Sequence, residues 1–536
     1  AERTCVKPHG ASSMECLQDP LSWVLAALLL ALIMVLHKQR RPGYVLPPPP
    51  PGPKPLPIIG NVGIMGQLTP PGLAALARKH GGLMHLRLAW FRTYVVSTPE
   101  YAREVLQAQD SVFSDRPATV AISYLSYGRN DMAFADHGPF WRHTRKLCVM
   151  KLFSRRRSRT WLAVRQECAE LVRAVAAASG RAEGVNLGKL MFRFTNNVVL
   201  RAAYSYSTAP GPDDDQGHDE IDIIGVLREC SDLFGAFSVG DVVPWFSWMD
   251  RQGINRRLRA ARGALDGFLE KIIDEHVERG RKPDDPDADM VDGLLEFLDE
   301  TSSSKAAGHG QQNTLHLTRK NIKAICMDIM VGGTDTVALA VEWAMAGLLH
   351  NPDVLMRLQK ELADVVGLDR NVDESDLANL PFLKCVVKET LRLHPPIPLL
   401  LHKTAEDCTV GGYSVPRGSR VMVNVWAIGR DGEVWEDADK FCPTRFMPEG
   451  GAAGLDMKGG CFELLPFGSG RRSCPGMALG QYAMELTVAQ LVHGFDWALP
   501  NGMKPAELDM GDRFGLTAPR AFRLAAVPTP RLTCPV

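Results

Sequence analysis

One ten-residue stretch constrains this chain more than any other. Phe467-Gly468-Ser469-Gly470-Arg471-Arg472-Ser473-Cys474-Pro475-Gly476 sets a single cysteine among glycines and arginines. A cysteine meant for a packed core has apolar neighbours, whereas this one has cations that favour its thiolate. Glycines lack the Cβ that would hold a flat macrocycle away from the backbone. Cys474 therefore reads as a metal-ligating thiolate, and the fold must keep its sulfur from water. The plainer alternative, a free cysteine in a Gly-Arg surface loop, leaves the coincidence of Phe, Gly, Arg, Cys and Gly at fixed spacing unexplained.

At 536 residues and 45% hydrophobic content the chain buries a large core. No repeat or Gly/Ser linker divides it, so one large domain is expected, not the three or four that length alone suggests. Lys plus Arg and Asp plus Glu are both 61, which argues against a bulk nucleic-acid binder. The 12 cysteines show no paired spacing and no CxxC, so they read as reduced thiols facing a cytosol.

Leu21 to Leu36 is an uninterrupted apolar run, extendable back to Leu17, which predicts a transmembrane signal anchor over 17–36. It ends in His37-Lys38-Gln39-Arg40-Arg41 instead of a small-residue cleavage site, and such a basic flank stays cytosolic. Residues 1–13 lack a hydrophobic pattern and read as an extension. Residues 37–57 combine the basic stop with a stiff proline-rich hinge, and the folded domain is expected over 58–536.

Thr318 to His350 predicts a long helix capped by Thr318 and ended at Asn351-Pro352. Gly332-Gly333-Thr334-Asp335-Thr336 interrupts its apolar pattern at a cost of about 2 kcal/mol in helix propensity. That cost predicts a use. Missing side chains open a groove beside the helix, a kinked ladder admits a polar group, and the alcohol of Thr336 next to the Asp335 carboxylate makes a proton relay. Trp141 and Arg145 lie four apart on one helix face, where an indole N–H and a guanidinium can bond one carboxylate. Glu389 and Arg392 share another face, a spacing with no weight alone. Basic residues recur from Arg142 to Arg159, a solvated run that also suits docking of an acidic partner.

In this order, the glycine-interrupted helix, Glu389-Thr390-Leu391-Arg392, Pro443-Thr444-Arg445-Phe446 and the cysteine loop resemble the signatures of the cytochrome P-450 superfamily. The resemblance implies a mainly α fold with small β-sheets, a single large catalytic domain after an N-terminal membrane anchor. It implies haem b with Cys474 as iron ligand, and Pro466, Phe467, Gly468 and Gly476 around the macrocycle. Trp141, Arg145, His402 and Arg472 are then assigned to the haem propionates, and Glu389, Arg392 and Arg445 to a buried network bracing the loop. Asp335 and Thr336 are the implied catalytic pair. Val337 departs from the pattern, in which a second hydroxyl residue is common, and Thr444 stands where Glu is usual. The chain has no flavin or nicotinamide fingerprint of its own, so electrons from NADPH must arrive through a flavoprotein reductase.

Ala121-Ile122-Ser123-Tyr124-Leu125, the run from Gly138 to Arg157, Leu393 to His402 and Phe514 to Arg520 resemble, more closely, the plant ferulate or coniferaldehyde 5-hydroxylases. That resemblance implies hydroxylation of guaiacyl phenylpropanoids for syringyl lignin, at the endoplasmic reticulum membrane with the catalytic domain facing the cytosol. The implied partners are NADPH-cytochrome P-450 reductase, membrane lipid, a small phenolic substrate and dioxygen, with no nucleic acid. Ile122, Phe234, Phe237, Leu399, Leu400 and Leu516 are the implied substrate pocket. Asp335 replaces the Glu frequent in those enzymes. Another plant phenylpropanoid or flavonoid hydroxylase, a haem-thiolate isomerase or dehydratase, and a non-catalytic membrane-anchored haem sensor are the competing readings; the Asp335-Thr336 pair disfavours the isomerase.

Overall fold

The computed structural model describes residues 47–534 apart from 58, 154–157, 181–183, 207–221, 237, 243–247, 249, 251–252, 283–284, 286 and 299–315. The extension, the anchor, the basic stop, the arginines at 155–157 and Phe237 lie outside the described residues.

β1 (Leu83–Leu88) and β2 (Phe91–Val96) pair antiparallel. The helices that bear on the site are α1 (Pro139–Cys148), α2 (Leu187–Tyr204), α3 (Ile223–Phe234), α4 (Ile254–Arg279), α5 (Met290–Leu295), α6 (Arg319–His350) and α7 (Pro381–Leu393). After them come β3 (Leu399–Lys403), β4 (Arg420–Asn424) and α8 (Met477–Gly494). The main sheet has the order β1-β2-β4-β3, with β4 parallel to β2 and antiparallel to β3. Two smaller sheets, of three and two strands, complete a mainly helical fold. Residues Pro49–Val536 cluster as one compact unit.

The proline segment is fastened before it ends. Prolines cannot donate, but their carbonyls accept: Pro51 O takes the amide of His85 at 2.9 Å, and Asn61 Nδ2 reaches Pro53 O at 3.2 Å.

α6 organises the core. Thr318 Oγ1 accepts from Asn321 N while the Asn321 side chain accepts from Thr318 N, a reciprocal cap. Its 32 residues span about 48 Å. Apolar positions run all round it, so it is buried, packing against α2, α3, α4, α7 and α8. Among the described residues it alone is long and apolar enough to cross a membrane by composition, yet 72% of its apolar window is inside the protein. Two apolar clusters meet on it. One takes its α6 members from Ile322 to Val331, the other from Ala338 to Leu349, and Gly332 to Asp335 fall at the join.

Candidate active site

At that join a cavity of about 400 Å³ opens between α6, β3 and the loop from Pro466 to Gly476. The two α6 glycines do different work. A Cβ on Gly332 would meet open space, so this residue widens the cavity, whereas a Cβ on Gly333 would lie 2.7 Å from Val199 Cγ2 and push α2 away. The helix assignment runs unbroken through the glycines, and its ladder admits a foreign hydroxyl: Thr195 Oγ1 donates to Thr334 O at 2.8 Å. Thr336 faces the cavity and its hydroxyl donates back to Gly332 O at 2.7 Å.

Cys474 lines the same cavity. It has accessible surface, yet protein surrounds it, because the surface it presents is cavity wall. Burial pushes its thiol up, while the Gly476 amide and then the Arg145 charge pull it back. The loop closes through Cys474 N to Phe467 O at 2.9 Å. Gly470 adopts φ +66°, and a Cβ there would sit 2.3 Å from Leu106 O, so only glycine makes this turn. Pro466, Phe467, Gly468 and Gly476 all line the cavity.

One end of the cavity is cationic. Arg145 Nη2 donates to Ser473 O at 2.6 Å, which ties α1 to the cysteine loop. Arg472 donates to Ser114 O at 2.6 Å and to Ala135 O at 2.5 Å, and its guanidinium stacks on the Trp141 ring at 4.3 Å. Trp141 itself differs from expectation. Its indole N–H is spent on Met132 O at 3.0 Å, so it carries the arginines on its face and has no free donor. His402 lines the cavity too. Its Nδ1 donates to Phe113 O at 2.7 Å, and burial followed by the Arg116 charge holds the ring down to about 3. With Nδ1 spent on that carbonyl, Nε2 is the ring nitrogen that remains for a cavity ligand.

The missing positive charge is Arg116, which the sequence reading did not single out. It lines the cavity, donates to Leu401 O, and is brought down to about 10 by burial and then by Arg145. Arg116, Arg145 and Arg472 form no ion pair among the described residues, although all three face one enclosed space. Such a donor set fits a group carrying two carboxylates on a flat apolar body, which is how haem b is built. The Ser-Asp-Arg-Pro run was the available signal: an arginine just before a proline, in an extended segment after a polar pair.

Behind the cavity, Glu389 is fully buried and receives Arg392 at 2.7 and 2.8 Å, Arg445 Nε at 3.1 Å and the Cys442 amide at 2.7 Å. Arg392 also donates to Ala438 O at 2.6 Å. The Arg392–Glu389 pair lies within α7, while the Cys442, Arg445 and Ala438 bonds join α7 to the segment that follows, and none of them uses Thr444.

Asp335 faces away from the cavity. Thr517 Oγ1 donates to its Oδ2 at 2.6 Å, and burial raises its carboxyl, opposed by Thr517, Arg523 and Ser231. Successive residues on a helix point about 100° apart, so the acid and the alcohol serve different sides of α6. Phe234, Leu399, Leu400 and Leu516 line the cavity, but Ile122 does not; it is packed in the core cluster around α3 and α4. A residue not foreseen, Phe134, lies across the cavity wall and stacks on Phe234 at 5.2 Å. Asp328 also lines the cavity, accepting from Met132 N at 2.7 Å and Ala133 N at 2.9 Å.

Residues 50–524 match the family described as cytochrome P-450. The chain is 53% identical over 531 residues to cytochrome P-450 84A1 of Arabidopsis thaliana, covering 98% of this chain and 99% of that protein. It is 38% identical over 516 residues to a flavonoid 3'-monooxygenase of the same plant, covering 96% and 97%. Among solved structures, a zebra fish cytochrome P-450 with progesterone superposes with a TM-score of 0.71 at 27% identity, covering 87% of this chain and 100% of that one.

Proposed function

The chain belongs to the cytochrome P-450 family, and on that premise we propose that it hydroxylates the ring 5-position of guaiacyl phenylpropanoids, namely coniferaldehyde, coniferyl alcohol and ferulate, for syringyl lignin. Enzymes of this family are monooxygenases that use haem b and take electrons from a reductase partner, generally NADPH-cytochrome P-450 reductase. Cysteine-ligated haem supplies the electron density that favours O–O cleavage. The residues around it supply the rest. Cys474 would be the iron ligand, Arg116, Arg145 and Arg472 would neutralise the propionates, and the Trp141 ring lies against the guanidiniums of Arg145 and Arg472.

The observation that carries the reading is the apolar part of the cavity lining. Phe134 and Phe234 offer a flat apolar face beside Leu399, Leu400 and Leu516, which suits a single phenolic ring and excludes water. Thr336 holds a hydroxyl at the cavity surface, and Asp335, its carboxyl raised by burial, lies on the other side of α6. The name of the flavonoid 3'-monooxygenase relative speaks for ring hydroxylation of a phenol in that protein. We also read 17–36 as an endoplasmic reticulum anchor that leaves the catalytic domain in the cytosol.

Competition among coniferaldehyde, coniferyl alcohol and ferulate in reductase-supplemented membranes tests the proposal. Product hydroxylated beside the methoxyl group, formed in step with NADPH consumption, is expected. Turnover of flavonoids in preference to all three would replace the substrate class, and NADPH consumption independent of substrate would remove the enzyme reading.

A further inference from the structure

Away from the cavity, three ligand-type side chains converge where α4 ends and α5 begins. His276 lies in the last turn of α4, Asp289 caps α5 and Asp292 follows three residues on. They are 1%, 3% and 2% exposed. One ring nitrogen and one oxygen from each carboxylate lie within 4.8 Å of one another.

The ring is oriented from behind. Nδ1 donates to Ile272 O at 2.7 Å, one turn back along α4, which directs Nε2 to Asp289 Oδ2 at 2.8 Å. Spending one ring nitrogen on a backbone carbonyl is how metal-binding histidines are fixed. Asp289 Oδ1 is taken by the amides of Val291 and Asp292, the Ser205 side chain also bonds this carboxylate, and Oδ2 is the oxygen that faces the ring. Asp292 Oδ2 accepts from Asp289 N at 2.9 Å, but its Oδ1 is buried with no hydrogen-bond partner. A proton on Nε2 satisfies His276 and Asp289 and leaves that oxygen bare, and a bare buried acceptor is costly.

We infer that His276, Asp289 and Asp292 form a structural site for a divalent cation of the zinc class, tying the end of α4 to the start of α5. One imidazole and two carboxylates are zinc donors at about 2.0–2.2 Å. Calcium, which takes six to eight oxygens, fits this set poorly. On binding, Nε2 gives its proton to solvent and its lone pair to the metal, while Nε2 and Asp289 Oδ2 part by about half an ångström to become an edge of the coordination shell. None of the three residues lines the Cys474 cavity, so the site is independent of the haem reading.

The test uses the haem-loaded enzyme, dialysed against a chelator, exposed to micromolar zinc and passed through gel filtration before metal analysis. Wild type is expected to retain one zinc per chain beyond what Asp292→Asn retains, and its unfolding temperature to rise with zinc while that of Asp292→Asn does not. Asp292→Asn keeps the side-chain shape and an acceptor for the Asp289 amide; His276→Gln is the second variant, and Asp292→Asn alone decides if it does not fold. Equal zinc retention and equal thermal response in wild type and Asp292→Asn overturn the site.

Discussion

Arg472 is held down to about 9 by burial and, next, by the charge of Arg116, and neither arginine forms an ion pair among the described residues. Asp115 and Asp131 offset part of that repulsion, and an anion in the cavity would offset more.

On the proposed haem reading, Arg116 is expected to contribute to haem retention alongside Arg472. A hydrogen bond to a charged group contributes about 1.5–3 kcal/mol, so Arg116→Leu is expected to speed haem loss on the order of ten- to a hundredfold. Haem transfer to a scavenging apoprotein measures it. Arg116→Lys should recover part of the loss, because it restores charge without the planar fork; unchanged transfer in Arg116→Leu would deny the arginine this role.

The Glu389 network predicts a stability effect instead of a spectral one. Glu389→Gln leaves Arg392, whose side chain is fully buried, without its carboxylate, at a cost of about 3–5 kcal/mol. Urea unfolding followed by circular dichroism should show the midpoint fall accordingly. Wild-type stability in this variant would mean that the backbone carbonyls alone hold Arg392.

Asp131 and Asp328 give a pH dependence. Asp131 is raised from 3.8 to about 6, chiefly by burial, and Asp328, buried and facing the Asp131 charge, is raised further. A carboxyl raised in the folded state contributes stability that is complete below its ordinary value and is lost as pH rises through the raised one. The difference in unfolding free energy between wild type and Asp131→Asn should thus shrink from about pH 4 to about pH 6. A difference that stays flat over this window contradicts the assignment.

Thr336 and Asp335 separate by readout. Thr336→Ala removes the hydroxyl at the cavity and is expected to cut product per NADPH by about tenfold or more, with hydrogen peroxide appearing instead. Thr517→Val strips Asp335 of its 2.6 Å donor and should shift the pH profile of turnover while leaving substrate binding unchanged. Undiminished coupling in Thr336→Ala would reject the alcohol as a proton donor.

Much of this arrangement was legible in the chain because each part is local. The capped helix from Thr318, the glycine join and the cysteine loop all announce themselves within a few residues. The cationic end was harder, since it is assembled from four distant segments. Four apart on a helix, Trp141 and Arg145 look like equal donors, but only the fold reveals that Met132 O has already claimed the indole. For His402 only the fold shows that Nδ1 is spent on Phe113 O and that burial and Arg116 lower the ring. Arg116 escaped because an arginine before a proline resembles any surface loop. Ile122, chosen for the substrate pocket, turned out to be core, where an apolar side chain on a short helix most often belongs.

The central claim is that Cys474 is the haem ligand at the floor of the cavity. The reduced, carbon monoxide-bound absorption spectrum tests it most directly. Wild type should give the long-wavelength Soret band of a thiolate-ligated haem, and Cys474→Ser, with the arginine end of the cavity intact, should keep haem but lose that band. Persistence of the thiolate band in Cys474→Ser would contradict the account.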